Sequence, residues 1–141
     1  MPTSPPLDLT SLQHALASLR RGLIRWQASG MQDEELRDAC IQRFEYTFEL
    51  SWKMLQRRLE RDLPDAHSVD AMSFRELMRS GGERGLVQDV DAWMEFRDKR
   101  NTTSHTYNAA KASEVVAVIP RFADHAQALL AQLQARGAQD A

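Results

Sequence analysis

Leu9, Leu12, Leu16, Leu19, Leu23 and Trp26 recur at intervals of three and four along the start of the chain. That spacing puts them on one face of an amphipathic helix. Thr10 and Gln13 are placed to form a capping box at its start, and Gly30 is placed to stop it. A second apolar face runs through Ile41, Phe44, Phe48, Leu55 and Leu59. It follows Asp33, Glu34 and Glu35, acidic residues that suit the positive end of a helix. Pro64 sets its end near Asp62. An element of nearly 30 residues spans about 45 Å and needs partners along its whole length.

Residues 63–72 lack this periodicity and read as a loop. Ser73 and Glu76 form a capping-box pattern that opens a short helix ending at Gly81-Gly82. A further helix begins near Val87 and carries Val90, Trp93 and Met94. Asn108 is placed to cap a last helix, with Val115, Ile119, Phe122, Ala126, Leu129 and Leu133 on one face. Pro120 falls inside that pattern and predicts a kink, and Gly137 predicts the end. No segment alternates with period two and no hairpin turn occurs. The expected fold is all-α: an antiparallel up-and-down bundle of four main helices plus a short extra helix. One domain, 8–137, lies between a disordered proline-led N-terminus, 1–7, and a flexible tail, 138–141.

A length of 141 residues suits one domain with its own core. Hydrophobic residues make up 43% and charged residues 27%, ordinary values for a globular protein in water. The single cysteine, Cys40, lies among apolar helical residues and reads as packing; one thiol forms no internal disulfide, which predicts a cytoplasmic protein. The N-terminus has no basic region followed by an apolar run, so it is not a signal peptide, and no stretch approaches the roughly 18 apolar residues of a membrane span. The net charge of −2 argues against a surface that binds nucleic acid all over. Any such contact is expected to be local.

The fourth helix supplies a locality of that kind. On a wheel of about 100° per residue, Val90, Trp93, Met94, Arg97, Arg100, Asn101, Ser104 and His105 fall within an arc of about 140°. The apolar stripe of the first half thus continues as a polar cluster. Two arginines, an asparagine and a histidine together suit an anion in a cleft. Arg100 can stabilise charge on a phosphoryl group, and Asn101 can hold a reacting group in place. His105, with an ordinary pKa of about 6.5, can exchange protons with a ribose 2′-OH or a leaving oxygen. Arg97, Lys99, Arg100 and Lys111 face only Asp98 within this stretch, making it locally basic. The plainer reading is a structural network that closes one end of the bundle. Thr102 and Thr103 are poor helix formers, so the helix is expected to loosen before His105.

Other chemistry is less well supported. His14, His67, His105 and His125 show no ligand spacing, so neither a metal site nor a cofactor is expected. Gly81-Gly82-Glu83-Arg84-Gly85 lacks the strand and lysine of a phosphate-binding loop. On helix two, Glu45, Glu49 and Lys53 lie four apart, with Glu49 and Lys53 oriented for an ion pair; this is either a binding cluster or a solvated face. Trp52, Tyr46, Phe44 and Phe48 make the same helix aromatic, and most of that is expected in the core.

The stretch Ile41-Gln42-Arg43-Phe44-Glu45-Tyr46-Thr47-Phe48-Glu49-Leu50-Ser51-Trp52-Lys53, with Arg100-Asn101-Thr102-Thr103-Ser104-His105-Thr106-Tyr107-Asn108 downstream, resembles the nucleotidyltransferase substrate-binding protein family of the HEPN superfamily. The resemblance covers roughly residues 9–135. It implies a homodimer with the Arg-x4-His motifs facing each other across a cleft, and a complex with a minimal nucleotidyltransferase encoded nearby. In related toxin–antitoxin pairs the subunit of this kind is a metal-independent ribonuclease. The nucleotidyltransferase silences it there by transferring AMP to the tyrosine of an Arg-x4-His-x-Tyr motif. Arg100, His105 and Tyr107 fit that motif position by position. Older naming of the family gives the subunit the task of holding the nucleotidyltransferase's substrate. The chain has no Gly-Ser with paired aspartates, so it is not itself a nucleotidyltransferase. Its N-terminus and Ala/Gln-rich tail are longer than the family core requires.

Three readings follow: an endoribonuclease held in check by its partner, a module presenting a nucleotide or other substrate to that partner, or an assembly subunit alone. RNA or a nucleotide is the expected ligand, with Arg100, His105 and Asn101 as catalytic candidates, Arg97, Ser104, Lys111, Glu49 and Lys53 as binding candidates, and Tyr107 as the modification site. Apolar surface on helix two and helix four is expected to need cover in a dimer.

Overall fold

The computed structural model describes residues 5–103 and 108–140. Among these are six helices and no strand: α1 (Thr10–Ala28), α2 (Glu34–Asp62), α3 (Ala66–Asp70), α4 (Phe74–Glu83), α5 (Val90–Thr103) and α6 (Ala109–Asp140). The four long ones, α1, α2, α5 and α6, form the antiparallel up-and-down bundle. Helix α2 is its spine and packs against all five others. Among the described residues no helix is long and apolar enough to cross a membrane.

The apolar stripes meet where the spacing places them. Leu12, Leu16 and Leu19 of α1, Phe44, Leu55 and Leu59 of α2, and Ile119, Phe122 and Leu129 of α6 are all essentially inaccessible to water. Phe122 is the hub. Its ring lies edge-on to Phe44 at 4.9 Å, Phe96 at 5.3 Å and Trp93 at 5.7 Å between centroids. This arrangement sets ring edges against π faces. Cys40 is buried in the same core, and burial pushes its thiol pKa up.

Side-chain caps explain most helix starts. Asp33 accepts from the amides of Glu35 and Leu36, Ser73 from Glu76, and Asn108 from Lys111. Asp89 accepts from Ala92, which delays α5 to Val90 rather than Val87. The expected capping box at Thr10 does not form; Leu9 is the N-cap without a side-chain bond, and Asp8 accepts from the Thr10 amide instead. Residues 63–72 are not all loop, because Asp65 caps the five-residue α3 and Val69 is buried beneath it. Helix α4 runs past Gly81-Gly82 to Glu83. Gly85, at φ +78°, then turns the chain, and the amide of Leu86 closes back on the carbonyl of Gly81 at 2.9 Å. A Cβ on Gly81 would meet Val87 at 2.8 Å and Leu55 at 3.2 Å, so the bare backbone lets α4 approach α2.

Two terminal expectations also change. Leu7 already packs on the core, within the stretch expected to be disordered. Helix α6 passes through both Pro120 and Gly137 and continues to Asp140. Long-range bonds hold its last turns: Arg58, buried on α2, pairs with Asp62 and with Asp140, and Arg136 donates to the carbonyl of Arg84.

Candidate functional site

The buried face of α5 is Ala92, Trp93 and Phe96, whereas Val90 and Met94 are half-buried and Arg97 and Asn101 exposed. The true stripe is therefore turned by about 100°, roughly one residue, from the arc expected through Val90 and Met94. Phe96 causes the difference, since Trp93, Phe122 and His125 all crowd its ring. The turn brings Arg100 onto the continuation of the buried face, four residues after Phe96. Arg97 and Asn101 flank it. Helix α5 persists to Thr103, with the Thr102 hydroxyl donating to the carbonyl of Asp98.

Across from α5, the helix-two cluster joins the same site. Arg100 Nε lies 3.9 Å from Glu49 Oε1, and Lys53 Nζ lies 4.0 Å from Glu49 Oε2. Glu49, Lys53 and Arg100 therefore belong to one constellation rather than two, and Asn101 lines the same cleft as Glu49 and Arg100. Arg97 reaches α4, its guanidinium carbon over the Phe74 ring at 5.1 Å from the centroid. Between α2, α4 and α5 opens a cleft of about 440 Å³. Trp52 and Phe74 wall it, and Arg97, Arg100 and Asn101 edge it.

Lys111 sits in the first turn of α6, beyond Asn101. Together with Asp98, Thr102 and Glu114 these residues line a second, more open depression of about 380 Å³. Asn101 thus borders both hollows. The fold also tempers the local basic charge, because Glu49 arrives from α2 and Glu114 lies 4.0 Å from Lys99. Ser104, His105 and Tyr107 lie outside the described residues. The third hollow, about 270 Å³, is lined by Gln42, Glu45, Tyr46, Glu49 and Arg100 and places Glu45 beside the same constellation.

Sequence spacing marks no site residue between 63 and 82, yet Asp70, Met72, Ser73, Phe74 and Leu77 all line the cleft between α2, α4 and α5. Trp52, expected with the core aromatics, is only half-buried at the cleft wall. Its one local signal is its position within Glu49-Leu50-Ser51-Trp52-Lys53. The exposed large hydrophobic residues among those described are Ile24, Met31 and, on α2, Tyr46, while Val90 and Met94 of α5 are half-buried.

Fold and site define a helical-bundle protein with an arginine- and asparagine-edged cleft beside its spine helix. Residues 7–135 match the family described as nucleotidyltransferase substrate binding protein like, and the chain belongs to that family. It is 37% identical, over 95% of its own length and 97% of the relative's, to a protein of Haemophilus influenzae named probable ribonuclease HepT. A solved structure from Haemophilus influenzae, described as the fold of a substrate binding domain of a nucleotidyltransferase, superposes with a TM-score of 0.84 at 34% identity, covering 90% of this chain and 99% of that one. A second, from Thermus thermophilus, gives a TM-score of 0.68 at 32% identity, covering 86% and 98%.

Proposed function

We propose that this chain is the partner subunit of a minimal nucleotidyltransferase and acts in the cytoplasm as a metal-independent endoribonuclease, silenced when the partner adenylylates Tyr107. The observation that carries the reading is the convergence of Arg100 and Asn101 with Glu49 at the end of a nucleotide-sized cleft, directly ahead of His105 in the chain. Similarity to a protein named as a probable ribonuclease supports it.

The chemistry follows from the residue types. A ribose 2′-oxygen bonds to the adjacent phosphorus as the bond to the 5′-oxygen of the next nucleotide breaks. The 2′-OH proton leaves to a base, and the departing 5′-oxygen takes one up. His105 is the proton-transfer group. Arg100 stabilises the charge that gathers on the phosphoryl oxygens, and Asn101 orients the reacting group. Two chains paired across the Arg100 edge bring two such sets to one phosphate, so the working unit is a homodimer.

A second reading rests on the cleft itself. Its volume and aromatic walls suit a nucleotide held for the partner enzyme without cleavage, in line with the description of the Haemophilus influenzae structure as a substrate binding domain. The deciding experiment incubates purified protein with labelled RNA in the presence of EDTA. Cleavage by the wild type, lost in His105→Ala and Arg100→Ala variants of unchanged circular dichroism, supports the ribonuclease. Nucleotide binding without cleavage supports the presenting module. Light scattering that gives a clean monomer at micromolar concentration removes the composite site.

A further inference from the structure

Among the described aromatic residues, one group fills the core and two stand at the wall of this cleft. Phe44, Trp93, Phe96 and Phe122 are fully buried, whereas Trp52 and Phe74 are half-buried and face the hollow between α2, α4 and α5. Phe48 lies behind Phe74 at 5.7 Å between centroids, and Arg97 covers the Phe74 ring at 5.1 Å. Such planes of aromatic ring and guanidinium are the surfaces on which unstacked bases are held. A hollow of about 440 Å³ is within the range of small-ligand sites.

The rim is polar and chemically particular. Asp70, exposed at the end of α3, and Gln56 of α2 line one part, while Arg100 and Asn101 edge the cleft from α5. A carboxylate only accepts hydrogen bonds. It therefore favours a base that offers two adjacent N–H groups, and among the common bases guanine does so through N1–H and its 2-amino group. Adenine and cytosine place an acceptor beside their amino group, and uracil sets its single N–H between two carbonyls.

We propose that this cleft is a nucleobase subsite that takes one unstacked guanine, stacked on Trp52 and on the Arg97 guanidinium that covers Phe74 and read by Asp70, with its phosphate toward Arg100. The subsite deepens the ribonuclease reading, on which its placement beside the reacting phosphate rests. The same chemistry, a guanine carrying a phosphate, comes from an RNA strand or from a free nucleotide.

The test is a fluorescence-anisotropy titration of the full chain with labelled uridine hexamers carrying one central G, A or C. Their riboses are 2′-fluoro, so binding is measured without cleavage. The G hexamer is expected to bind about tenfold more tightly than the others. Asp70→Asn, an exposed change that spares the fold, is expected to erase that preference, so that the G, A and C hexamers bind alike. Trp52→Leu is expected to weaken binding of every hexamer by about tenfold, and Trp52→Phe to restore most of it. Competition by GMP at or below the concentration of unlabelled hexamer assigns the guanine to a free nucleotide; failure of GMP to compete assigns it to a strand. Binding indifferent to base identity, to Asp70→Asn and to Trp52→Leu overturns the subsite. A protein that binds through Asp70 yet cleaves no RNA keeps the subsite and loses the ribonuclease. One that cleaves RNA equally well in the Asp70→Asn and Trp52→Leu variants keeps the ribonuclease and loses the subsite.

Discussion

Arg100 on α5 holds its Nε 3.9 Å from Oε1 of Glu49 on α2, joining two helices whose residues lie 51 positions apart. Both side chains are partly open, at 24% and 36% exposure, so water screens the pair and its contribution to stability is small. Its consequence is positional: the carboxylate directs the guanidinium along the cleft edge.

Glu49→Gln keeps the shape and removes that charge. Folding stability is expected to change by no more than about 0.5 kcal/mol. With the guanidinium less well aimed, kcat for RNA cleavage is expected to fall about tenfold. KM is expected to fall too, because one negative charge leaves the neighbourhood of the phosphate. Steady-state kinetics separate the two parameters; kcat and KM both unchanged would show that Glu49 has no positioning role.

Tyr107 follows His105 by two residues and precedes Asn108, the cap of α6. AMP on its hydroxyl would add a phosphate seven residues from Arg100 and ten from Arg97 in the chain, and guanidiniums that pair with it are withdrawn from RNA. Wild-type protein incubated with ATP and the partner is expected to gain the mass of one or more adenylyl groups and to lose cleavage activity. Tyr107→Phe is expected to gain none at this position and to stay active. An adduct mapped by peptide mass spectrometry to another residue sinks this assignment.

Phe122 touches rings from α2 and α5 at once. Phe122→Ala leaves a cavity that those fixed helices cannot close, and is expected to cost about 3–5 kcal/mol. Chemical denaturation should show the midpoint shift with little change in slope. A loss below about 1 kcal/mol would mean that the core repacks around the gap.

Asp140 is held below the usual carboxylate range, chiefly by its hydrogen bond from Arg58. A carboxylate with a lowered pKa in the folded state stabilises above its unfolded pKa and loses that contribution as pH falls through the folded value. The unfolded reference is 3.8, so the last turn of α6 is expected to remain docked at neutral pH and to fray below about pH 4. Amide hydrogen exchange over residues 134–140 reads this directly. Asp140→Asn should show the frayed pattern already at pH 7, with the midpoint of global unfolding nearly unmoved. Protection equal to wild type in that variant at pH 7 would assign the end of α6 to packing alone.

Much of the bundle is written in local spacing. The leucine rows of α1, the stripe from Ile41 to Leu59 and the stripe from Val115 to Leu133 are buried as their periodicity requires, because a helix with one apolar stripe has only one face to hide. Caps are equally local, so Ser73 and Asn108 are legible as helix starts. The family motifs, too, are linear in the chain, and they lie within the match over residues 7–135.

Tertiary structure decided what spacing leaves open. Whether Val90 and Met94 or Phe96 marks the buried face of α5 depends on which neighbour fills it, and the rings of Phe122 and His125 select Phe96. Helix α6 runs past Gly137, and Arg58, 79 positions before that glycine, pairs with Asp140 beyond it. The cleft draws on residues from α2 to α5, including Asp70 and Phe74 from a stretch with no periodic signal. Helical periodicity says which face of one helix avoids water. It carries no information about which residue of another helix will stand opposite, and that pairing is what makes Glu49 and Arg100 neighbours.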